Sequence, residues 1–411
     1  MRNIKDKKII LLTQFCEPEP QHVGIAFGEK LFDAGFEVEV VTGFPNYPGG
    51  KLYPGYKRRL IDSNKLNNIK LTRLWLFFSH SHSKIGRVIN YLSFAFSSFI
   101  YLLFIAKKNH IIYVYHPPIT VGLSACFIKL FKKSKIIIDI QDFWPDTLEA
   151  TRFITNKYLL NLVSFFCNIV YKRSDHLTVL SNGFKDKLIN LGIEKEKISV
   201  ILNWADDEDS YIRYENTRDM TFLDPNFFNI LHAGNLGPAQ SLKSLIDASK
   251  IITDKGITDI KFIFLGDGMS KNSLIKYAET INADVLFIPR VDSSTARIYM
   301  EEANVMCVHL DNTPLFEITI PSKIQAYLSS GKPILAAVNG EAGNLVVTAG
   351  AGLKANANDP NSIAEAACIF YKMRESELAE MGEKGKEFYL NNLSLDQAIV
   401  KTAKLIDSLG S

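Results

Sequence analysis

Residues 314–337 place an acid and a lysine around a predicted helix start. Glu317 stands in a predicted loop, and Pro321 begins the helix. Lys323 lies in its first turn, and Gly331 ends it before a new apolar run. The unpaired N–H groups at a helix start attract anions, and a lysine beside them adds positive charge. The segment therefore suits a diphosphate that carries a sugar, with Glu317 binding the sugar hydroxyls. A capped surface helix without a ligand is the alternative.

Two glycine-rich turns follow apolar strands upstream of this segment. One is Gly-Asn-Leu-Gly at 234–237, with Gln240 shortly after it, and the other is Gly-Asp-Gly at 266–268. Glycines let the backbone approach a phosphate closely, and each turn leads into a predicted helix. Neither turn matches a dinucleotide or Walker pattern. Plain tight turns, with Asp267 as a helix cap, therefore stay open as the alternative.

The N-terminal half offers carboxylates beside an aromatic ring. A predicted strand runs into Gln141, Asp142 and Trp144. Carboxylates next to an aromatic platform suit the hydroxyls of a sugar, so we predict substrate contacts here. A structural turn whose acids cap a helix is the alternative.

Loops after two other strands of this half carry histidines. Glu19, His22 and Gly24 follow the first strand, and His116 ends a later one. Gly24 would let the backbone near a ligand, whereas a lone histidine is more often structural than functional. The sequence has no Ser-His-Asp order, no H-E-x-x-H motif and no cluster of metal ligands. We therefore expect no metal site.

Alternating strands and helices must position these residues. Apolar runs predict strands near 7–15, 37–42, 69–77, 111–115, 135–140, 176–180 and 198–202, and again near 229–234, 260–266, 283–289, 303–310 and 332–338. Helical patterns separate them, and such alternation is typical of parallel sheets covered on both faces. Residues 203–226 are polar and aperiodic, which indicates a linker.

The pattern predicts two doubly wound, Rossmann-like α/β domains that face a central cleft. We place the N-terminal domain at 1–205 and the C-terminal domain at 206–390. A last helix, at 391–411, is expected to pack back on the N-terminal domain. Sheets of this type bind ligands at the carboxyl ends of their strands, which is where the residues singled out above lie.

Composition excludes several classes of protein. Hydrophobic residues make up 47% and charged residues 22%, which excludes a disordered or low-complexity chain. The five cysteines are scattered, so a disulfide framework is not expected, and we read no secretory signal. Residues 1–205 carry 28 Lys and Arg against 16 Asp and Glu. This basic half indicates an anionic partner, yet it lacks a nucleic-acid motif.

Residues 88–106 form the longest uncharged stretch. Its 19 residues just reach the length of a membrane span, and lysine or arginine flanks both ends. Three interpretations stay open: a buried core helix, a helix that docks on the inner membrane leaflet, and a true span.

Four motifs together resemble glycosyltransferase family 4, a large retaining family with the two-domain GT-B fold. They are D-x-x-D-x-W-P-D at 139–146, A-G-N-L-G-x-A-Q at 233–240, L-G-D-G at 265–268 and F-E-x-x-x-P-S-K-I-Q-x-Y-L-x-x-G-K-P-I at 316–334. The last motif is highly specific. It is similar to the form found in bacterial surface-polysaccharide transferases, including L-fucosamine transferases of O-antigen and capsule clusters.

The resemblance implies a donor site in the C-terminal domain and an acceptor site in the N-terminal domain. Catalytic roles then fall to Glu317, Lys323, Arg290 and Asp142. The implied nucleotide-sugar ligands are Gly234, Asn235, Leu236, Gly237, Gln240, Gly266, Asp267, Gly268, Ile320, Pro321, Ser322 and Gln325. The implied acceptor ligands are Glu19, His22, Gly24, His116, Gln141 and Trp144.

The sequence departs from the family pattern at three places. Gln325 replaces the second acid of the E-x7-E motif, and its amide is expected to bind ribose hydroxyls instead. Asn235 and Gln240 stand where relatives have Arg and Lys, so Lys323 and Arg290 are expected to meet the diphosphate. Gln141 stands where many relatives have His, which leaves Asp142 to contact substrate.

The implied reaction moves a sugar from a UDP-sugar to an acceptor hydroxyl with retention, without a metal or other cofactor. The implied donor is an N-acetylated amino sugar such as L-FucNAc, and the acceptor is a polyprenyl-diphosphate-linked saccharide. The basic half and residues 84–108 would hold a cytoplasmic protein on the inner face of the bacterial plasma membrane. A UDP-N-acetylglucosamine 2-epimerase-like isomerase and a non-catalytic nucleotide-sugar-binding protein are the alternative functions.

Overall fold

The computed structural model describes residues 7–19, 22–47, 49–79, 84–151, 153–205 and 222–409. The chain divides into two compact units. The first consists of Met1–Leu202 and Leu395–Ser411, and the second of Asn203–Ser394. Most of the predicted linker, residues 206–221, lies outside the described residues.

The first unit is built on an eight-stranded sheet with the order β3-β4-β2-β1-β5-β6-β7-β8. Its strands are β1 Lys8–Leu12, β2 Glu37–Gly43, β3 Ile61–Leu66, β4 Ile69–Leu74, β5 Ile111–His116, β6 Lys135–Ile140, β7 His176–Val179 and β8 Ile198–Val200. All neighbours pair in parallel except β3 and β4, which are antiparallel. The helices between them are α1 Ile25–Asp33, α2 Lys84–Ile105, α3 Ile119–Lys132, α4 Asp146–Ala150, α5 Lys157–Arg173 and α6 Asn182–Asn190.

The second unit is built on a parallel six-stranded sheet with the order β11-β10-β9-β12-β13-β14. Its strands are β9 Phe228–Ala233, β10 Ile260–Leu265, β11 Val285–Ile288, β12 Val305–His309, β13 Ile334–Ala337 and β14 Gly352–Ala355. Its helices are α7 Lys243–Asp254, α8 Lys271–Thr280, α9 Ser293–Glu302, α10 Pro314–Glu317, α11 Ser322–Ser329, α12 Gly340–Thr348, α13 Pro360–Lys372 and α14 Glu375–Asn392. The last helix, α15 (Leu395–Leu409), packs on α1 of the first unit.

Both units are the Rossmann-like α/β sheets that the alternation of apolar runs predicts. The central strands are apolar because helices cover both faces of a parallel sheet. Every residue of β5 and of β12 is buried, for example. The carboxyl ends of β9, β10 and β11 therefore lie side by side at one edge of the second sheet, because these strands are neighbours and parallel.

The apolar runs in the sequence do not predict two of the strands, β3 and β14. β3 is an exposed edge strand with the polar sequence IDSNKL, so no apolar run marks it. β14, with the sequence GLKA, is short and contains residues that rarely favour strands. The single strand predicted near 69–77 is therefore the second half of an antiparallel pair.

Helix α2 contains the long apolar stretch. Among the described residues it is the one helix that is long and apolar enough to cross a membrane, by length and composition. Only 22% of its most apolar 18 residues are buried, which does not fit a buried core helix. The buried residues are Asn90, Phe94, Ser98 and Leu102, which form a single stripe.

Candidate functional site

The two glycine turns of the second unit pack directly against each other. Gly266, with a φ of 144°, lies so close to the first turn that a Cβ there would stand 1.9 Å from the Gly234 carbonyl oxygen. The Leu236 amide donates to the Asp267 carbonyl oxygen at 2.8 Å, and the Ser270 amide donates to the Leu236 carbonyl oxygen at 2.9 Å. The glycines at 234 and 266 thus allow two strand ends to approach at backbone distance.

A pocket of about 380 Å³ opens at these turns. It lies at the carboxyl ends of β9, β10 and β11. Its walls are formed by Ala233, Gly234, Asn235, Leu265, Gly266, Asp267, Arg290, Val291 and Ala296. Five of these residues, Gly234, Asn235, Gly266, Asp267 and Arg290, are predicted site residues, so the structure brings the ends of three separate strands into one cavity.

Four predicted ligands of the same turns play structural parts. Leu236 is fully buried in the core of the second unit. The Gln240 side-chain oxygen accepts from the Gly237 amide at 3.2 Å, which holds the first turn closed. The Gly268 amide donates a hydrogen bond to the Asp267 side chain. A Cβ at position 268 would lie 2.5 Å from the Leu236 carbonyl oxygen.

The side chain of Lys323 lies against the first turn. Its side chain runs from the start of α11 to Gly234, where a Cβ would stand 2.7 Å from the lysine Cε and 3.4 Å from Nζ. Within the described part of the chain, no carboxylate forms an ion pair with it. Burial lowers the pKa of Lys323 from 10.5 to about 8. A partly buried ammonium that forms no ion pair with a described carboxylate, beside a glycine turn, is arranged to receive an anion.

Glu317 and Gln325 have different surroundings. Thr313 caps the short helix α10, and Glu317 is its exposed last residue, with its backbone packed against Gly340. Gln325 is buried. In the orientation that satisfies its amide, Gln325 donates to the backbone oxygens of Pro321 and Ser322 at 2.9 and 3.1 Å. The Gln325 amide thus bonds to its own helix, and ribose binding by it stays a prediction.

The remaining predicted residues of this segment mark the start of α11. Ile320 is buried, Pro321 occupies the N-cap position, and Ser322 is exposed. No side-chain cap satisfies the first N–H groups of this helix. The Ile324 amide donates to the Pro321 carbonyl oxygen at 3.0 Å, so among the described residues the amides of Ser322 and Lys323 are the ones open to another acceptor.

Sequence reasoning assigned no role to two residues at this pocket. Lys271, at the start of α8, donates from Nζ to the Gly266 carbonyl oxygen at 3.1 Å, which places a second ammonium at the pocket wall. The Tyr327 hydroxyl accepts from the Ala233 amide at 3.0 Å and donates to the Ala233 oxygen at 3.1 Å. Lys271 could have been identified from the sequence, because it is a lysine in the first turn of a helix that follows Gly-Asp-Gly. No local pattern marks Tyr327.

In the first unit, Asp142 is the carboxylate best suited to chemistry. It follows β6, and burial raises the pKa of its carboxyl group. The described residues offer its carboxylate neither a hydrogen bond nor an ion pair. The neighbouring Asp139 is buried with a pKa raised to about 6, but its oxygens accept from Thr178 and Gln141. Gln141 thus binds a buried acid of its own strand.

The histidine predicted at the end of β5 is fully buried. His116 packs edge to face on Trp144, with ring centroids 5.7 Å apart, and neither ring nitrogen has a hydrogen-bond partner among the described residues. Burial lowers the pKa of His116 to about 3, so its ring is neutral at physiological pH. A direct substrate contact by His116 stays a prediction, while Trp144 is partly exposed.

The loop after β1 is held together by its acids. The Glu19 carboxylate accepts from the amides of Asn46 and Tyr47, each at 2.7 Å, and from that of Cys16. Burial raises the pKa of Glu19. Gly24 stands at the N-cap of α1, and His22 is a partly exposed residue just before it. Glu19 therefore joins two loops, and its contact with an acceptor stays a prediction.

No group of three or more potential metal ligands (His, Cys, Asp or Glu) is assembled by the described residues. The charges at the second-unit pocket come instead from Lys323, Lys271 and Arg290, together with Asp267. This is a donor set for an anion rather than for a metal ion.

One protein-family model matches the part of the chain that forms this pocket. Residues 228–372 match the family model described as Glycosyl transferases group 1. The match spans all strands of the second sheet, including those that form the pocket.

A curated relative matches over most of the chain. It carries the provisional name colanic acid biosynthesis glycosyl transferase WcaI and comes from Escherichia coli (strain K12). The two sequences are 23% identical over 361 residues, which is 83% of each chain.

Solved structures share the fold of the entire chain. Sucrose-phosphate synthase from Thermosynechococcus elongatus has a TM-score of 0.70 at 14% identity, covering 98% of this chain and 99% of the other. HepE from Anabaena, in complex with UDP-glucose, has a TM-score of 0.63 at 14% identity, covering 98% and 99%. The fold is thus that of the GT-B glycosyltransferases.

Proposed function

We propose that this chain is a glycosyltransferase that moves a sugar from a UDP-sugar to a saccharide acceptor. The observation that carries the proposal is the pocket at β9, β10 and β11, with the partly buried ammonium of Lys323 at its glycine turn. The match to glycosyl transferases group 1 covers the same residues. The likeness to HepE, which was crystallised with UDP-glucose, supports a UDP-sugar as the donor.

In this proposal the second unit stabilises the leaving group. The bond between the anomeric carbon and the UDP oxygen breaks, and the negative charge that develops on the diphosphate is met by Lys323 and Arg290. The free N–H groups at the start of α11 add to this electrostatic stabilisation. Lys323 and Arg290 act as the cationic partners of the diphosphate, so we propose that the reaction needs no divalent metal. Activity that is unchanged by EDTA would support this.

Glu317 and Asp142 would act on the sugars. Glu317, an exposed acid at the end of α10, would bind hydroxyls of the donor sugar near the reacting carbon. Asp142 would orient the acceptor hydroxyl, whose oxygen forms the new bond. We further propose retention of configuration by a front-face route, in which a phosphate oxygen of the departing UDP takes the acceptor proton.

The acceptor that we propose is a polyprenyl-diphosphate-linked saccharide of bacterial surface polysaccharide synthesis, and the donor an N-acetylated amino sugar such as L-FucNAc. The name of the curated relative, which refers to colanic acid biosynthesis, supports a polysaccharide pathway. Such an acceptor would place the chain on the inner face of the plasma membrane, with the basic first half and residues 84–108 toward lipid.

Calorimetry with UDP tests the donor site. Wild type is expected to bind UDP, and Lys323→Met to bind it much more weakly. Lys276→Met is the matched control, because Lys276 is an exposed lysine of α8. Binding of GDP or dTDP in place of UDP would change the donor class, and absence of binding to any nucleotide would refute the proposal. Sugar turnover without UDP release would indicate an isomerase instead.

A further inference from the structure

Three helices of the first unit form one layer on the same face of its sheet. The connections β4-α2-β5, β5-α3-β6 and β6-α5-β7 all advance in the same direction along the strand order. Right-handed crossovers then place α2, α3 and α5 on one face, and α1, which leads the other way, on the opposite face. The Ser98 hydroxyl of α2 donates to Ser124 of α3 at 3.1 Å, and Lys129 of α3 donates to the Arg173 carbonyl oxygen of α5 at 2.9 Å.

The outer side of this layer is unusually apolar. On α2, the exposed Leu92 and Phe96 lie opposite the buried stripe, and Phe104 is 81% exposed. Phe131 of α3 is 65% exposed and Phe165 of α5 is 58% exposed. Large apolar side chains thus face outward from all three helices, and a contiguous exposed patch of this kind marks an interaction surface. We call the outer side of α2, α3 and α5 the apolar platform.

The charged residues within the three helices are all cations, and the nearby Asp175, two residues after the end of α5, pairs with Lys129 at 2.8 Å. None of the three helices contains an aspartate or a glutamate. Each is followed or ended by a pair of cations, namely Lys107 and Lys108, Lys132 and Lys133, and Lys172 and Arg173. Since the three helices run in the same direction, these pairs lie along one border of the platform. An apolar face bordered by cations is complementary to an anionic lipid surface.

The hydrogen bonds on the inner side of α2 distinguish a helix that lies on a membrane from one that spans it. The Asn90 side chain donates to the Phe77 carbonyl oxygen at 2.7 Å and accepts from Gln14. A span would have to pull these buried polar groups away from the sheet, where their partners lie, so α2 stays in the layer. A second copy of the chain would bring two cationic borders together, which disfavours self-association.

We propose that the apolar platform docks on an anionic lipid bilayer, with α2, α3 and α5 in the plane of the membrane and their outward phenylalanines inserted among the lipids. The docking proposal rests on the proposed function, because a lipid-linked acceptor lies in the membrane. It differs from docking by residues 84–108 alone, because α3 and α5 also present exposed phenylalanines, Phe131 and Phe165.

Vesicle flotation of the full chain, without detergent, tests the proposal. The probes are phosphatidylcholine vesicles with and without phosphatidylglycerol. Wild type is expected to bind the anionic vesicles at low salt. Phe131→Ser and Phe165→Ser are each expected to weaken binding about tenfold. Lys107→Gln is expected to weaken it about fivefold. Val400→Ser, which removes an exposed apolar residue of α15, is the matched control and is expected to leave binding unchanged.

Three results would overturn the proposal. Wild type that ignores anionic vesicles at low salt refutes it outright. Loss of binding in Phe96→Ser, with Phe131→Ser and Phe165→Ser unaffected, would restrict lipid contact to α2. A dimer in sedimentation that Phe131→Ser converts to a monomer would assign the platform to a second copy. UDP calorimetry on the same variants separates the two proposals, because it needs no membrane: failure to bind UDP with intact vesicle binding would refute only the proposed function.

Discussion

Replacement of Lys323 by methionine should increase stability and abolish tight UDP binding at the same time. Burial lowers the pKa of Lys323 from 10.5 to about 8. At about 1.36 kcal/mol for each pKa unit, the folded chain holds this ammonium about 3 kcal/mol less favourably than the unfolded chain does. Methionine fills a similar volume without charge, so Lys323→Met is expected to be more stable than wild type by up to about 3 kcal/mol at pH 7.

The gain in stability has a definite pH dependence. Between pH 8 and pH 10.5 the unfolded chain keeps a proton that the folded chain has released, so wild-type stability rises with pH over this window. The advantage of Lys323→Met should therefore shrink to roughly 1.4 kcal/mol at pH 9.5. Urea unfolding measures it. The background Trp75→Phe with Trp144→Phe leaves Trp204, which belongs to the second unit, as the reporter.

The binding loss follows from the same ammonium. A hydrogen bond to a charged group contributes about 1.5–3 kcal/mol, so Lys323→Met should weaken UDP binding roughly 10- to 150-fold. Wild-type affinity should also fall above pH 8, because the neutral amine must first take up a proton, whereas Lys323→Arg should show no such decline. Lower stability together with nearly unchanged affinity in Lys323→Met would refute the reasoning and make Lys323 a structural residue.

Three further outcomes are expected. Glu317→Gln should keep UDP affinity within about threefold yet lose at least about a hundredfold in turnover; equal losses in both would place Glu317 at the nucleotide instead. Gly266→Ala should lower the free energy of unfolding in urea by at least about 3 kcal/mol. The control Gly256→Ala, with φ of 81° but no atom near its Cβ, should lower it by about 1–2 kcal/mol. Similar losses in the two variants would contradict the contact between Gly266 and Gly234. Asp142→Asn should lower turnover about 10²- to 10⁴-fold and leave UDP affinity unchanged. It should also remove the acid limb of the pH–rate profile, because burial raises the pKa of the Asp142 carboxyl group and moves that limb to higher pH. A retained acid limb would assign it to another group.

The fold could be predicted from the sequence because apolar runs report burial. Strands such as β6 and β10 are mostly apolar, and α3 lies between the strands predicted near 111–115 and 135–140. β3 and β14 could not be predicted, because an exposed edge strand and a four-residue strand with glycine carry no apolar period. The exposure of α2 also depends on its neighbours, which composition does not reveal.

The part of the site that the sequence predicts is the pair of glycine turns, because a glycine directly after a strand indicates a close approach of the backbone. Gly234 and Gly266 follow strands, and their place at the pocket follows from the parallel sheet. Hydrogen-bond partners are a tertiary property, however. Nothing local indicates that Glu19 accepts from three backbone amides or that the Gln325 amide turns to its own helix. For the same reason, the counter-ion-free surroundings of Lys323 appear only in the structure.

The return of α15 to the first unit has a consequence for the order in which the chain can fold. Lys30 of α1 pairs with Asp396 of α15 at 2.9 Å, and Ile406 of α15 is fully buried. The ribosome delivers α15 only after residues 203–394 have emerged, so the second unit can complete its core while the first still exposes the apolar side of α1. A chain truncated after residue 394 would then have a second unit that resists protease and a first unit that does not.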